Sequence, residues 1–153
     1  VLGRLRNVPG VLSATAANQA PYDATAWSVQ VWTATHPATK HVVSVFLGDE
    51  DFASTLGMAT SAGRHFMTHE FRDYRGDQTE LQAGTQSVLV SSALASRLYG
   101  RSEPLGLPLL MAPGARLRVV GVFGAQRSPL RTRPMAAPMV SDAADLGMKP
   151  RAP

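Results

Sequence analysis

No cysteine occurs among the 153 residues, which excludes disulfides, thiolate metal sites and cysteine nucleophiles from any account of stability or chemistry. That absence is compatible with cytoplasm and periplasm alike. Long apolar runs are also missing: no stretch reaches the roughly eighteen residues a membrane-spanning helix needs, and residues 1–20 lack the charged, apolar and cleavage regions of a signal peptide. Lysine is scarce, since 13 of the 15 basic residues are arginine, a bias that a GC-rich genome alone would produce. What is present is a globular composition, 44% hydrophobic and 17% charged, of a length usual for one domain.

The net charge of +4 is unevenly placed. Residues 116–153 hold seven Arg or Lys against two Asp, whereas residues 1–115 hold eight against nine acidic residues. A basic tail of this kind can meet phosphate, lipid head groups or an acidic protein face.

Leu2, Leu5 and Val8 recur at three-residue spacing until Pro9-Gly10 stops the pattern. Residues 1–8 therefore read as a helix already under way at Val1, so an upstream segment is expected. Val11 to Ala16 fits a short strand and Asn18 to Thr25 a loop. Trp27, Val29 and Val31 alternate with Ser28 and Gln30, and Val43, Val45 and Leu47 share one face of the next run, which together predict an antiparallel hairpin. Asp49-Glu50-Asp51 offers capping oxygens and negative charge to a helix carrying Phe52 and Leu56 and ending at Gly57. Residues 58–85 show no sustained period and read as a long exposed excursion.

Gln86 to Val90 returns to strand character, Ser91 or Ser92 can cap the helix Ala93 to Tyr99, and Gly100 closes it. Leu107 to Met111 and Arg116 to Phe123 then flank Ala112-Pro113-Gly114, a turn signal that predicts a second hairpin. The tail is rich in arginine and proline, with Pro138-Met139-Val140 as a candidate edge strand. Helices and strands alternate irregularly, so the fold class is α+β, with mixed or antiparallel sheets and a few short helices.

Few constellations carry chemistry. His65 and His69 stand four apart beside Glu70, which on a helix would offer two imidazoles to a metal and defines one alternative, a metal-dependent enzyme. The segment lacks a helical apolar stripe and a third ligand in register, which favours ordinary surface histidines. Ser91-Ser92 lacks the glycines of a nucleophile elbow and reads as a cap. Gly121-Val122-Phe123-Gly124 lacks the third glycine of a dinucleotide loop, with Pro129 where a helix should begin. Arg127, Arg131 and Arg133 form the sharpest charge feature, suited to phosphate and carboxylate oxygens. No aromatics are interleaved with them, so nucleic-acid binding by residues 116–133 is a weaker alternative. Trp27 and Trp32 lie on opposite faces of one strand; Trp27 is the core choice and Trp32 a candidate partner-binding residue beside the three arginines. No ATP-binding motif is present.

Three stretches resemble the MacB-like periplasmic core domain of ABC transporter permeases of the MacB, FtsX and lipoprotein-releasing type. The first runs from Leu2 through Pro9-Gly10-Val11. The second joins Val43 and Asp51-Phe52 to Gly63-Arg64-His65-Phe66. The third joins Ser87 to Val90, Ala93-Leu94-Ala95 and Leu98-Tyr99-Gly100 to Pro104-Leu105-Gly106 and Val119-Val120-Gly121-Val122. Ser91 stands where that family often has asparagine, Leu107 where lysine is common and Gly124 where aspartate is frequent, positions that concern turns and caps.

The resemblance implies two α+β lobes, called Porter and Sabre, approximately residues 1–48 with 125–153 and residues 49–124. It also implies a membrane-anchored, non-catalytic domain on the periplasmic side of the bacterial inner membrane, with no cofactor of its own. The implied partners are the transmembrane helices of the same permease, its ATPase domain or subunit, a second permease copy and a periplasmic protein, with no nucleic acid among them. The structural motif residues would be Pro9, Gly10, Gly63, Arg64, Phe66, Gly100, Pro104, Gly106 and Gly121.

Overall fold

Apolar residues at alternate positions give Ser28–Trp32 (β1) and His41–Val45 (β2) one face to bury, and the two pair antiparallel with Val29 opposite Val43 and Val31 opposite His41. The computed structural model describes residues 1–20, 27–71, 84–100, 103–112 and 114–124, with the backbone of 126–127, 134–135 and 140–142. The remaining elements are α1 (Leu2–Arg6), α2 (Phe52–Thr55), β3 (Thr60–Gly63), a 3-10 turn (Thr68–Glu70), β4 (Thr85–Ser91), α3 (Ser92–Tyr99), β5 (Pro108–Met111), β6 (Ala115–Phe123), β7 (Gln126–Arg127), β8 (Pro134–Met135) and β9 (Val140–Asp142).

Seven strands form one sheet in the order β3-β6-β4-β9-β2-β1-β5, and β5 pairs in turn with β6. The sheet thereby curls into a closed ring of six strands. β6 gives one edge to β4 along its length, while the other serves β5 at residues 115–118 and β3 at 121–123. β4 runs parallel to β6 and β9, and the other pairs in this sheet are antiparallel. The strands come from both expected lobe segments, β1, β2 and β9 from one and β3 to β6 from the other.

An irregularity in β6 divides the core. Val88 pairs with Val119 but Leu89 pairs with Gly121, so Val120 is an extra residue, a β-bulge. Before the bulge Ala115, Leu117 and Val119 face the main cluster; after it the phase slips by one and Val122 does. That cluster also holds Val31, Val43, Val88, Val90, Leu109 and the α3 residues Leu94, Ala95 and Leu98. Phe123 is thrown to the opposite face, where it joins Phe46, Phe52, Met58 and Leu89 in a second cluster. Each such side chain contributes about 1.5–3 kcal/mol on burial. The hydroxyl of Ser44 is fully buried and has no hydrogen-bond partner among the described residues.

Both predicted hairpins form, as do the Ser91-capped helix and its Gly100 stop: the Ser91 hydroxyl accepts the Leu94 N–H at 3.2 Å. Four expectations need correction. Val11 to Ala16 is not a strand; only Ala17 bridges to Gly48, because side chains take the local polar groups, Asp49 Oδ2 accepting the Ala16 N–H at 3.1 Å and Arg6 Nε donating to the Ala14 carbonyl at 3.1 Å. The excursion 58–85 contains β3 and the 3-10 turn, both too short to show a period. The late strand is no edge: β9 starts at Val140, beyond Pro138, and lies between β2 and β4. Finally, the Asp51 carboxylate caps nothing in α2, whereas Asp49 Oδ1 accepts the Asp51 N–H at 3.2 Å.

Candidate functional site

The Gly-Arg-x-Phe stretch leaves β3 where the bulge of β6 bends toward it. Gly63 stands opposite Gly121, and the Arg64 N–H donates to the Val120 carbonyl at 3.0 Å. A Cβ on Gly63 would overlap that carbonyl and come within 2.6 Å of Leu105, while one on Gly121 would overlap the Arg64 carbonyl and come within 2.8 Å of Leu89. Two backbones therefore meet at a distance that only paired glycines permit.

That approach aims Arg64 at Glu70. The guanidinium grips the carboxylate with both nitrogens, Nη1 to Oε2 at 2.7 Å and Nη2 to Oε1 at 2.8 Å. Glu70 also accepts the Met67 N–H at 2.7 Å and the Ser87 hydroxyl at 2.5 Å. One carboxylate thus ties the β3 exit, the 3-10 turn and β4 together. The Arg64 hydrogen bonds, aided by those from Met67 and Ser87 and by the Arg64 charge, hold the Glu70 carboxyl far below the usual range against the opposing effect of burial. Arg64 is raised in turn, chiefly by its bonds to Glu70.

Because the folded pKa of Glu70 is depressed, its stabilisation is fully present above the unfolded value of about 4.3 and is lost as pH falls toward the folded value. Glu70→Gln is expected to lower stability at pH 7 by about 2 kcal/mol and to flatten the decline that the parent chain shows on acidification below about pH 5. Urea unfolding at a series of pH values checks both.

Arg64 leads into a cleft of about 260 Å³ between α2 and the 3-10 segment. Phe52, Met58 and Leu89, all nearly inaccessible, form its floor; Phe66 and Phe71 stand edge to face at 5.8 Å on one wall; Asp49, Glu50, Ser54 and His65 line the rest. Asp49 joins the cleft to the N-terminal segment. It accepts the Thr15 hydroxyl and the Ala16 N–H, and Arg6 lies 3.5 Å from it and 2.5 Å from Asp51. Partial burial would raise the Asp49 carboxyl, but these hydrogen bonds and the Arg6 charge together lower it.

The proposed metal ligands do not converge. His65 precedes a 3-10 turn and His69 lies within it, with no α-helix to put them on one face; His65 Nε2 lies 2.7 Å from the Thr60 hydroxyl, and both Glu70 oxygens are occupied. Among the described residues no group of three His, Asp or Glu is placed to hold a metal.

Of the motif residues, Gly63, Arg64, Phe66 and Gly121 come together here. Pro9 and Gly10 lie in the exposed turn after α1, and Gly100, Pro104 and Gly106 lie on the path from α3 to β5, with the Gly106 N–H donating to the Val119 carbonyl at 2.7 Å. Trp27 packs on the main cluster as expected, and Trp32 is half-buried with Lys40 Nζ 5.2 Å above its ring. The side chain of Arg127 and all of Arg131 and Arg133 lie outside the described residues. Glu70, as an ion-pair anchor for Arg64, was missed as such; an arginine six residues before a glutamate was the available signal.

The described residues include no helix long and apolar enough to cross a membrane. No curated protein matches the sequence. Among solved structures, the periplasmic region of MacB from Actinobacillus actinomycetemcomitans is similar with a TM-score of 0.55 and 15% identity over 82% of this chain and 49% of that one. A domain assigned to a permease protein of Porphyromonas gingivalis is similar with a TM-score of 0.54 and 16% identity over 84% of this chain and 50% of that one. The chain therefore spans about half the length of these solved chains, and the likeness concerns the fold. The family model for the MacB-like periplasmic core domain matches residues 2–142, and with the ring-shaped α+β sheet this shows that the chain belongs to that family of extracytoplasmic ABC-permease domains, which are transporter parts rather than known enzymes.

Proposed function

We propose that this domain is a non-catalytic lever of an ABC transporter permease, passing ATP-driven motion to a substrate or partner protein outside the inner membrane. It acts with the permease helices, their ATPase and a second permease copy, and needs no cofactor of its own. The observation that carries the reading is the way early and late parts of the chain are bound into one body. α1 is fastened to the α2 end through Arg6, Asp49 and Asp51, and β9 is inserted between β2 and β4. A push delivered at either place moves the whole sheet, since a packed interior transmits displacement with little internal give.

The absence of cysteine from these 153 residues allows a test by an introduced pair, in a parent transporter freed of any cysteines elsewhere. The Ser13 and Thr55 hydroxyls lie 2.5 Å apart, so a Ser13→Cys, Thr55→Cys pair can lock the N-terminal segment to α2. Oxidation is expected to leave coupled transport intact, because a lever needs no motion at that joint. Arg6→Glu, which turns an attraction into repulsion at Asp49 and Asp51, is expected to lower transport while ATP hydrolysis continues. Loss of transport on locking, or transport that is indifferent to Arg6→Glu, overturns the proposal.

A further inference from the structure

The cleft beside α2 is a built cavity that the lever role does not use. Its chemistry is divided. The floor and one wall are aromatic, thioether and aliphatic groups from Phe52, Met58, Phe66, Phe71 and Leu89, and two carboxylates, Asp49 and Glu50, stand among its lining residues. Asp49 and Asp51 are both engaged by Arg6, whereas Glu50 is exposed and no arginine or lysine lines the cleft among the described residues. In a chain of net charge +4 this is a local inversion of sign.

From that juxtaposition we infer that the cleft binds a small arylalkyl ammonium compound, its ring against Phe66, Phe71 and Met58 and its cation at Glu50. Aromatic faces attract both rings and cations, methionine sulfur favours aromatic contact, and a carboxylate at the cleft selects the sign of the ligand. The volume of about 260 Å³ suits a ligand the size of a bicyclic amine and falls below that of most drug-sized pockets. Among the described residues His65 is the one other titratable group lining the cleft besides the two carboxylates, and its Nε2 is turned to Thr60.

The test uses the 153-residue chain and three probes, tryptamine, indole-3-acetate and the peptide Lys-Trp-Lys, followed by NMR shifts of the Met58 methyl and the Phe66 and Phe71 ring signals. Tryptamine is expected to shift these signals saturably and to bind more tightly than indole-3-acetate. Glu50→Gln should weaken tryptamine about threefold without changing the response to uncharged indole. Ser54→Trp, at an exposed position lining the cleft, should abolish the response of a chain that stays folded. No shift with tryptamine, equal binding of the acid, or indifference to both substitutions overturns the inference. Binding of Lys-Trp-Lys without tryptamine also overturns it and assigns the cleft to a basic protein segment.

Discussion

Gly63→Ala is expected to destabilise the chain by about 3–4 kcal/mol, the larger part from overpacking and the rest from backbone strain. The glycine has φ of +76°, and an added Cβ would overlap the Val120 carbonyl and lie 2.9 Å from the Gly121 Cα. Neither neighbour is the free end of a side chain; both belong to the bulged strand that sets the phase of the core. Gly106→Ala supplies the comparison, since its φ of +77° nearly matches that of Gly63 and nothing lies near the new carbon. That variant should lose only about 1–2 kcal/mol. Urea unfolding midpoints measure the difference, and equal losses at the two positions would show that the close approach contributes nothing.

Phe52→Ala is expected to be comparably severe, about 3–4 kcal/mol. Phe52 is 3% exposed, stacks on Phe46 with centroids 6.4 Å apart and is the one fully buried side chain of α2. A helix of four residues has no stability of its own, so this ring is what keeps it on the sheet. Its seat is Gly48, where an added Cβ would come within 2.7 Å of the Phe52 Cβ and of two of its ring carbons. Gly48→Ala alone should therefore destabilise by about 1–3 kcal/mol, yet add less once Phe52 is alanine, where only the contact with the Cβ of residue 52 remains. A double-mutant cycle by thermal unfolding reads that coupling, and strict additivity would refute the account of how α2 is seated.

The legibility of the sequence followed the length of each element. β1, β2, α3 and the β5–β6 hairpin carry a full period of two or 3.6 and stand close to where periodicity puts them. β3 has four residues, Thr60–Gly63, of which only Ala62 is apolar, and its strand character comes from the partner β6 rather than from its own composition. The bulge at Val120 was hidden because it interrupts an alternation whose residues remain apolar; only pairing with β4 exposes the slip. β9 was misplaced because Pro138 argued for an edge, while the strand begins two residues later. At the site, the histidine spacing was visible but assumed a helix that the chain does not form. The ion pair of Arg64 with Glu70 depends on a turn whose three residues leave no periodic trace.

The insertion of β9 between β2 and β4 has a consequence for biogenesis. Until residues 140–142 emerge, both neighbouring strands present an unpaired row of amides and carbonyls, and the ring stands open at that seam. Ordering of the barrel is therefore delayed until residues 140–142 have been made, a long-range closure that is intrinsically slow. Export through a translocase, which requires an unfolded polypeptide, is compatible with such a delay, and a chaperone that masks strand edges would find its target in that interval.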